Sequence, residues 1–260
     1  MHTRLAGVHA VVDSERLECT WAATLLRLPR ARPVARGFGS SDCRCPTHLV
    51  HFPEGMMSTT RLRLVLTGKP RQLVENLLQS IAAQDDEECE TICQALSAHS
   101  EAVRLAMPLL LASESDRRWW AVRVIAASGH ADGVPALAQM LNDPNDAVRC
   151  AAALALGQLG TEAAIGPLVA LLGDGSGWVR RSAADALAMI GVPAVPALAR
   201  ALQDPQDGIR VRAAYALSRI RTPQTAAPLL QALDDPNYLV HRFAHEAAED
   251  MGLLDLILVA

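Results

Sequence analysis

Apolar residues in this chain recur at the spacing that lines one face of an α-helix. Leu137 and Leu141 form one such pair, four positions apart. The pair returns as Leu168 and Leu172, Leu198 and Leu202, and Leu229 and Leu233. A longer block lies between these pairs. "VRCAAALALGQLG" starts at Val148 and recurs as "VRRSAADALAMIG" at Val179, "IRVRAAYALSRIR" at Ile209 and "VHRFAHEAAEDMG" at Val240. A fainter copy, "RRWWAVRVIAASG", starts at Arg117. Successive copies are 31, 31, 30 and 31 residues apart, a period that marks a repeat architecture.

Each period reads as helix, short turn, helix, short turn. Pro135, Pro167, Pro196 and Pro228 stand near the starts of the second helices, where a missing N–H costs little. Asp143, Asp174, Asp204 and Asp235 close the units, mostly as Asp-Pro, which stops a helix and sets up a turn. Gly160 and Gly191 end first helices and predict left-handed C-caps. One helix pair cannot bury its apolar face alone, whereas stacked pairs share a continuous core. The predicted fold is therefore all-α: an α-solenoid, a right-handed superhelix of about six helix pairs.

Upstream the pattern weakens without disappearing. "KPRQLVENLLQSIAAQ" puts Leu73, Val74, Leu77, Leu78 and Ile81 on one helix face. "DDEECETICQALSAH" and "AMPLLLASES" read as the two helices of a degenerate unit. Residues 56–114 are thus expected to be N-terminal capping helices with a degenerate repeat, and 115–260 the repeats with a truncated C-terminal cap. The segment "NDAVRCAAALALGQLGTEAAIGPLVALLGD" resembles the HEAT-like repeat of phycobilisome lyase subunits and of many bacterial scaffold proteins. The resemblance covers roughly Ser115 to Gly252. It implies a solenoid whose second helices line the inner curve, and it is specific for fold rather than function, since such repeats serve unrelated proteins.

Composition narrows the function. Half of the residues are apolar, yet only nine are aromatic; Ala, Leu and Val carry the core. No apolar run reaches transmembrane length, so no membrane partner is expected. The net charge is −4, and acidic residues outnumber basic ones over 115–260. General nucleic-acid binding needs a basic face and is not expected. Six Cys, with Cys89 and Cys93 on one helix face and Cys150 in an Ala-rich helix, read as reduced thiols of a cytoplasmic protein.

Residues 1–55 are different material. They hold Cys43, Cys45, His48 and His51 close together and many Arg, with no helical or strand period. The segment reads as a disordered or non-native N-terminal extension, with Met56 or Met57 as the true start. A targeting peptide is one alternative and a zinc knuckle another, although Cys-x-Cys is tight for zinc.

Candidate chemistry falls into three groups. Arg118, Arg149, Arg180 and Arg210 follow the first residue of each unit. They would form either an anion-binding stripe or a structural ladder with Asp143, Asp174 and Asp204; the ladder is the expectation, because both series run at the repeat period. Trp119 and Trp178 lie near the starts of first helices at variable positions and are candidate interface anchors, or pack over neighbouring units. Trp120 reads as core. On the second helices, Gln139, Arg200 and Gln231 with Ala170 form a polar, nearly neutral ridge suited to protein recognition. No nucleophile elbow, phosphate loop or dinucleotide fingerprint is present.

His241 and His245 in the last copy raise a metal question. His241 occupies the ladder position, and His245 replaces an alanine that elsewhere packs between units. Deoxyhypusine hydroxylase, also a HEAT-like solenoid, holds two irons with several His-Glu pairs; the single pair His245-Glu246 matches that pattern in one unit only. The stretch is therefore expected to be a polar terminal cap, with no metal, cofactor or catalytic residue. After Gly252 the apolar "LLDLILVA" is expected to fold back over the last unit, the alternative being self-association. The leading expectation is a non-catalytic protein-binding or assembly scaffold with an unidentified protein partner. The resemblance also implies an alternative, a bilin lyase-type subunit or chaperone handling a tetrapyrrole or its carrier protein.

Overall fold

The computed structural model describes residues 69–254. Twelve α-helices make up the described residues, which contain no strand. Helix α1 (Pro70–Ala83) leads into α2 (Asp86–Ser97) and α3 (Ala102–Ala106). Then come α4 (Ser115–Ser128) and α5 (Val134–Met140), α6 (Asp146–Leu159) and α7 (Ile165–Ala170), α8 (Gly177–Ile190) and α9 (Val195–Ala201), α10 (Asp207–Ile220) and α11 (Ala226–Ala232). Helix α12 (Tyr238–Asp250) opens one more unit. Five helix pairs are thus stacked between α1 and α12. The fold is an all-α solenoid.

First helices pack on the first helices of adjacent units and on their own second helices. Each contact buries the residues the repeat supplies. Leu137, Leu156, Leu168, Leu187, Leu198, Leu217 and Leu229 are all fully buried, each such side chain being worth about 1.5–3 kcal/mol. Ala151, Ala152, Ala183, Ala184, Ala213 and Ala214 are buried between first helices, and their small side chains let backbones come close. The closest approach of one helix backbone to another at a glycine is at Gly157. A Cβ there would lie 2.6 Å from Ala186 Cα, so glycine is required for α6 to meet α8.

The N-terminal end is pinned by a feature outside the repeat. Arg123 of α4 is 3% exposed, and its Nη2 donates to both Glu90 carboxylate oxygens at 2.8 and 2.7 Å. Its guanidinium also lies 5.8 Å from the Trp119 ring centre. This couples α4 to α2 by a charge that could not be buried unpaired. At the other end of the described residues, α12 buries Val240, Ala244, Ala247 and Ala248 while His245, Glu246, Glu249 and Asp250 stay exposed. Arg221 ties to Asp250 at 2.7 Å. The tail beyond residue 254 and the segment 1–55, with Cys43, Cys45, His48 and His51, lie outside the described residues.

The first-helix caps hold one departure from the sequence reading. Gly129 and Gly160 end α4 and α6 in the left-handed region (φ 68°, ψ 7° and φ 65°, ψ 23°). After each, one residue caps a short 3₁₀ turn before the second helix. The unit starting at Gly177 is one residue shorter. Gly191 therefore serves both as C-cap of α8 and as N-cap of the following 3₁₀ turn, and adopts φ 80°, ψ −137° rather than a left-handed helical cap. That region belongs almost solely to glycine.

Neither Gly160 nor Gly191 has any atom within 4 Å of an added Cβ, so alanine at either site tests the backbone alone. Gly191→Ala should cost about 1–3 kcal/mol and Gly160→Ala about 1 kcal/mol. Urea unfolding of both variants against the parent checks the order; an equal or smaller loss for Gly191→Ala contradicts the double-cap account.

Candidate binding surfaces

The turn closing each unit is held by its aspartate. Asp143 Oδ1 accepts the Asn145 N–H at 2.8 Å, Asp174 that of Ser176 at 2.8 Å, Asp204 that of Gln206 at 2.9 Å and Asp235 that of Asn237 at 2.8 Å. Such side chain-to-backbone bonds two residues on are how Asp builds a turn. Asn145 and Asn237 then cap α6 and α12 by accepting from first-turn N–H groups.

Three arginines grip these aspartates. Arg118 donates Nε to Asp143 Oδ2 at 2.7 Å and Nη2 to Oδ1 at 2.9 Å. Arg149 meets Asp174 through the same two nitrogens at 3.0 Å each. Arg210 meets Asp235 at 2.8 and 3.2 Å. In each case Nη1 turns back onto the carbonyls preceding its own helix: Ala112 and Ser113, Asp143 and Pro144, Asp204 and Pro205. Arg and Asp are 25 residues apart in all three. Arg180 keeps only the carbonyl half, donating Nη1 to Asp174 O at 2.7 Å and Gly175 O at 3.2 Å. Among the described residues it makes no ion pair with Asp204, which lies 24 positions on in the shortened unit. Here the expected ladder is corrected: Asp204 is a turn residue whose guanidinium partner is missing. His241, in the ladder position of α12, donates Nδ1 to Leu233 O at 2.6 Å, so it too keeps a carbonyl contact.

The paired carboxylates are strongly poised. Burial alone would push the Asp143 carboxyl up, but the Arg118 guanidinium and the Asn145 N–H outweigh it and hold it below its ordinary 3.8. Asp174 and Asp235 follow the same balance, through Arg149 and Ser176 and through Arg210 and Asn237.

The two candidate ridges differ in exposure. Gln139, Arg200 and Gln231 are all exposed, with Ala170. Between α7 and α9 lies a groove of about 450 Å³, lined by Ile165, Val169, Ala170, Ala197 and Ile209, with Arg200 and Asp204 among its polar groups. Trp178 is 56% exposed. Trp119, expected on the same ridge, is half-buried: it packs edge-on to the buried Trp120 at 4.9 Å and under Arg123. Tyr238 and Leu239, at the start of α12, are exposed as well; their apolar character was not singled out by spacing, because this position varies from unit to unit.

Other reactive groups are quiescent. Burial, and after it the carboxylates of Asp86, Asp85 and Glu88, push the Cys89 thiol to about 11. Burial, and then Glu90, push Cys93 to about 12, and burial raises Cys150. These thiols are protonated at neutral pH, which removes their nucleophilicity. The His241 and His245 rings lie 5.9 Å apart between centres, tilted by 40°, and His245 Nδ1 lies 3.9 Å from Glu249. No group of three or more His, Cys, Asp or Glu that could hold a metal occurs among the described residues. No single helix among them is long and apolar enough to cross a membrane.

Asp143→Ala leaves Arg118 buried without its anion and should cost about 3 kcal/mol, whereas Asp204→Ala should cost less than about 1 kcal/mol; denaturant unfolding compares them, and equal losses would show Asp204 to be a ladder member. The pH dependence follows from the lowered carboxyl values. A depressed folded-state pKa gives stability that is complete above the unfolded value and is lost as pH falls through the folded one. The melting temperature should therefore drop below about pH 4, and the drop should be shallower in Asp174→Asn.

Comparison with known proteins agrees with this architecture. A family model described as HEAT repeats matches residues 107–188 and 167–249. A second model, a domain of unknown function (DUF123), matches residues 1–69, across the boundary expected at residue 55. A search of curated proteins gives no match. Among solved structures, YibA of E. coli is similar at 19% identity over 80% of this chain and 81% of its own, with a TM-score of 0.48. The CpcE–CpcF complex of phycocyanin lyase from Nostoc sp. PCC7120 is similar at 22% identity over 78% and 81%, with a TM-score of 0.46. A designed armadillo repeat protein in complex with the peptide (KR)4 is similar at 19% identity over 74% and 98%, with a TM-score of 0.43. At such identities these likenesses concern the fold alone. The repeat model spans more than half of the 260 residues, and its period is the period at which these helices stack: the chain belongs to the HEAT repeat family.

Proposed function

We propose that this protein is a non-catalytic scaffold that binds another protein through the exposed ridges of its solenoid. The observation that carries the reading is Trp178. A tryptophan left 56% exposed on the first turn of α8 keeps a large apolar surface in water at a cost that folding alone would have removed. Exposed aromatics of this kind act as anchors that concentrate affinity in a few contacts. The second-helix ridge, with Gln139, Arg200 and Gln231 exposed beside the groove between α7 and α9, offers polar groups that would orient a partner. A stacked core of Leu and Ala holds both surfaces rigid, which lowers the ordering cost of association.

The test is affinity capture with the full chain, its Trp178→Ala variant and an Arg200→Ala/Gln231→Ala double variant, all matched in melting temperature. A protein retained by the parent and lost from at least one variant is expected; equal recovery from all three removes the reading. Titration with biliverdin addresses the chromophore-handling alternative, and a shifted bilin absorbance band on the parent would favour it over the scaffold.

A further inference from the structure

Two exposed imidazoles stand one helical turn apart on α12. His241 and His245 lie at i and i+4, so they share one face, and their ring centres are 5.9 Å apart. Other units use this face for stacking: the residues matching His245 are Ala153, Ala184 and Ala214, all fully buried. In α12 the same face carries His241, His245 and Glu249, all exposed. A polar cap explains why these residues are not alanine. It does not explain why two of them are imidazoles held as follows.

Neighbouring groups set the tautomers. His241 Nδ1 lies 2.6 Å from Leu233 O. A carbonyl only accepts, so Nδ1 carries the proton and Nε2 keeps its lone pair. Leu233 follows α11, so the His241 ring is fixed from outside its own helix. His245 Nδ1 lies 3.9 Å from a Glu249 oxygen, and that carboxylate favours the same tautomer. Metal-binding histidines are commonly held this way, one nitrogen directed at a carbonyl or carboxylate and the other left for the ion. Burial of Val240, Ala244, Ala247 and Ala248 anchors α12, so the backbone positions of both rings are set before any ion arrives.

We propose that His241 and His245 bind one divalent transition-metal ion through their Nε2 atoms, with water in the remaining positions. Imidazole suits copper, nickel and zinc, whereas calcium and magnesium take oxygen ligands. With about 2.0–2.1 Å from ion to nitrogen, a shared tetrahedral ion would hold the ring centres roughly 5 Å apart; rotation of two exposed side chains closes the remaining gap. No group of three ligands gathers here among the described residues, so the ion keeps open positions toward solvent. Glu246 is not a member of the pair: it lies 3.6 Å from Arg242, and as the residue next to His245 it points to another face of the helix. The site is independent of the protein-binding reading.

Isothermal titration of the full chain with NiCl2 at neutral pH tests this. The parent should hold one Ni2+ at least about tenfold more tightly than His241→Ala or His245→Ala, since a lone imidazole lacks the second, intramolecular ligand. Glu246→Ala should keep the parent's affinity. His245→Ala restores the residue found in the other units, so its loss of metal would not reflect a loss of fold. Ni2+ should also raise the melting temperature of the parent and of neither histidine variant, because an ion bridging one helical turn binds only the folded state. Parent affinity no greater than that of either single-histidine variant overturns the proposal, as does loss of the site in Glu246→Ala or equal binding of Ca2+.

Discussion

The rest of the solenoid depends on the arginine–aspartate rung. Hydrophobic burial draws helix pairs together but does not by itself set how far one unit is advanced over the next. The rung does. Each guanidinium holds the turn before its own helix through Nη1 and the aspartate that closes the unit through Nε and Nη2. The same aspartate shapes its turn by accepting a backbone N–H. One side-chain pair therefore fixes three segments, at sites where little water remains to weaken the charges. Where a rung forms, at Arg118, Arg149 and Arg210, order in one unit is passed to the next through the shared turn.

Close packing follows from what the rung leaves to the core. Aromatic residues are scarce, and the faces between first helices are built of alanine. At Gly157 even a methyl group would strike the Ala186 backbone. Leucines of the second helices fill the remaining space. The N-terminal end breaks this economy: Arg123, Glu90 and Trp119 form a buried charge and ring contact there, where the repeat gives way to a degenerate unit.

The third complete repeat shows how a local change spreads. Deleting one residue merges two caps into Gly191 and shortens the path from Arg180 to the closing aspartate. The arginine keeps its anchor and loses its anion. A rule followed by the neighbouring units is broken in the unit that also exposes Trp178, and departures from an otherwise consistent pattern are where function is best sought.

The sequence by itself determined the solenoid. A 31-residue period, leucines four apart, Asp-Pro stops and first-turn prolines each dictate local geometry, and repetition makes the local choice global. It also placed the Arg and Asp series at one period, and three of the four arginines meet an aspartate there. What it could not decide was which side chains the stack covers. Trp119 and Trp178 look alike in spacing, yet one packs on Trp120 and Arg123 while the other faces water, since their neighbours come from different units. Arg123 and Glu90, 33 positions apart, follow no repeat and are joined only by packing. The 30-residue spacing was visible in the chain, but its effect was not: only the tertiary structure shows that losing one residue turns a left-handed cap into a conformation open almost only to glycine and leaves Arg180 without its aspartate, because register across units is a property of the stack.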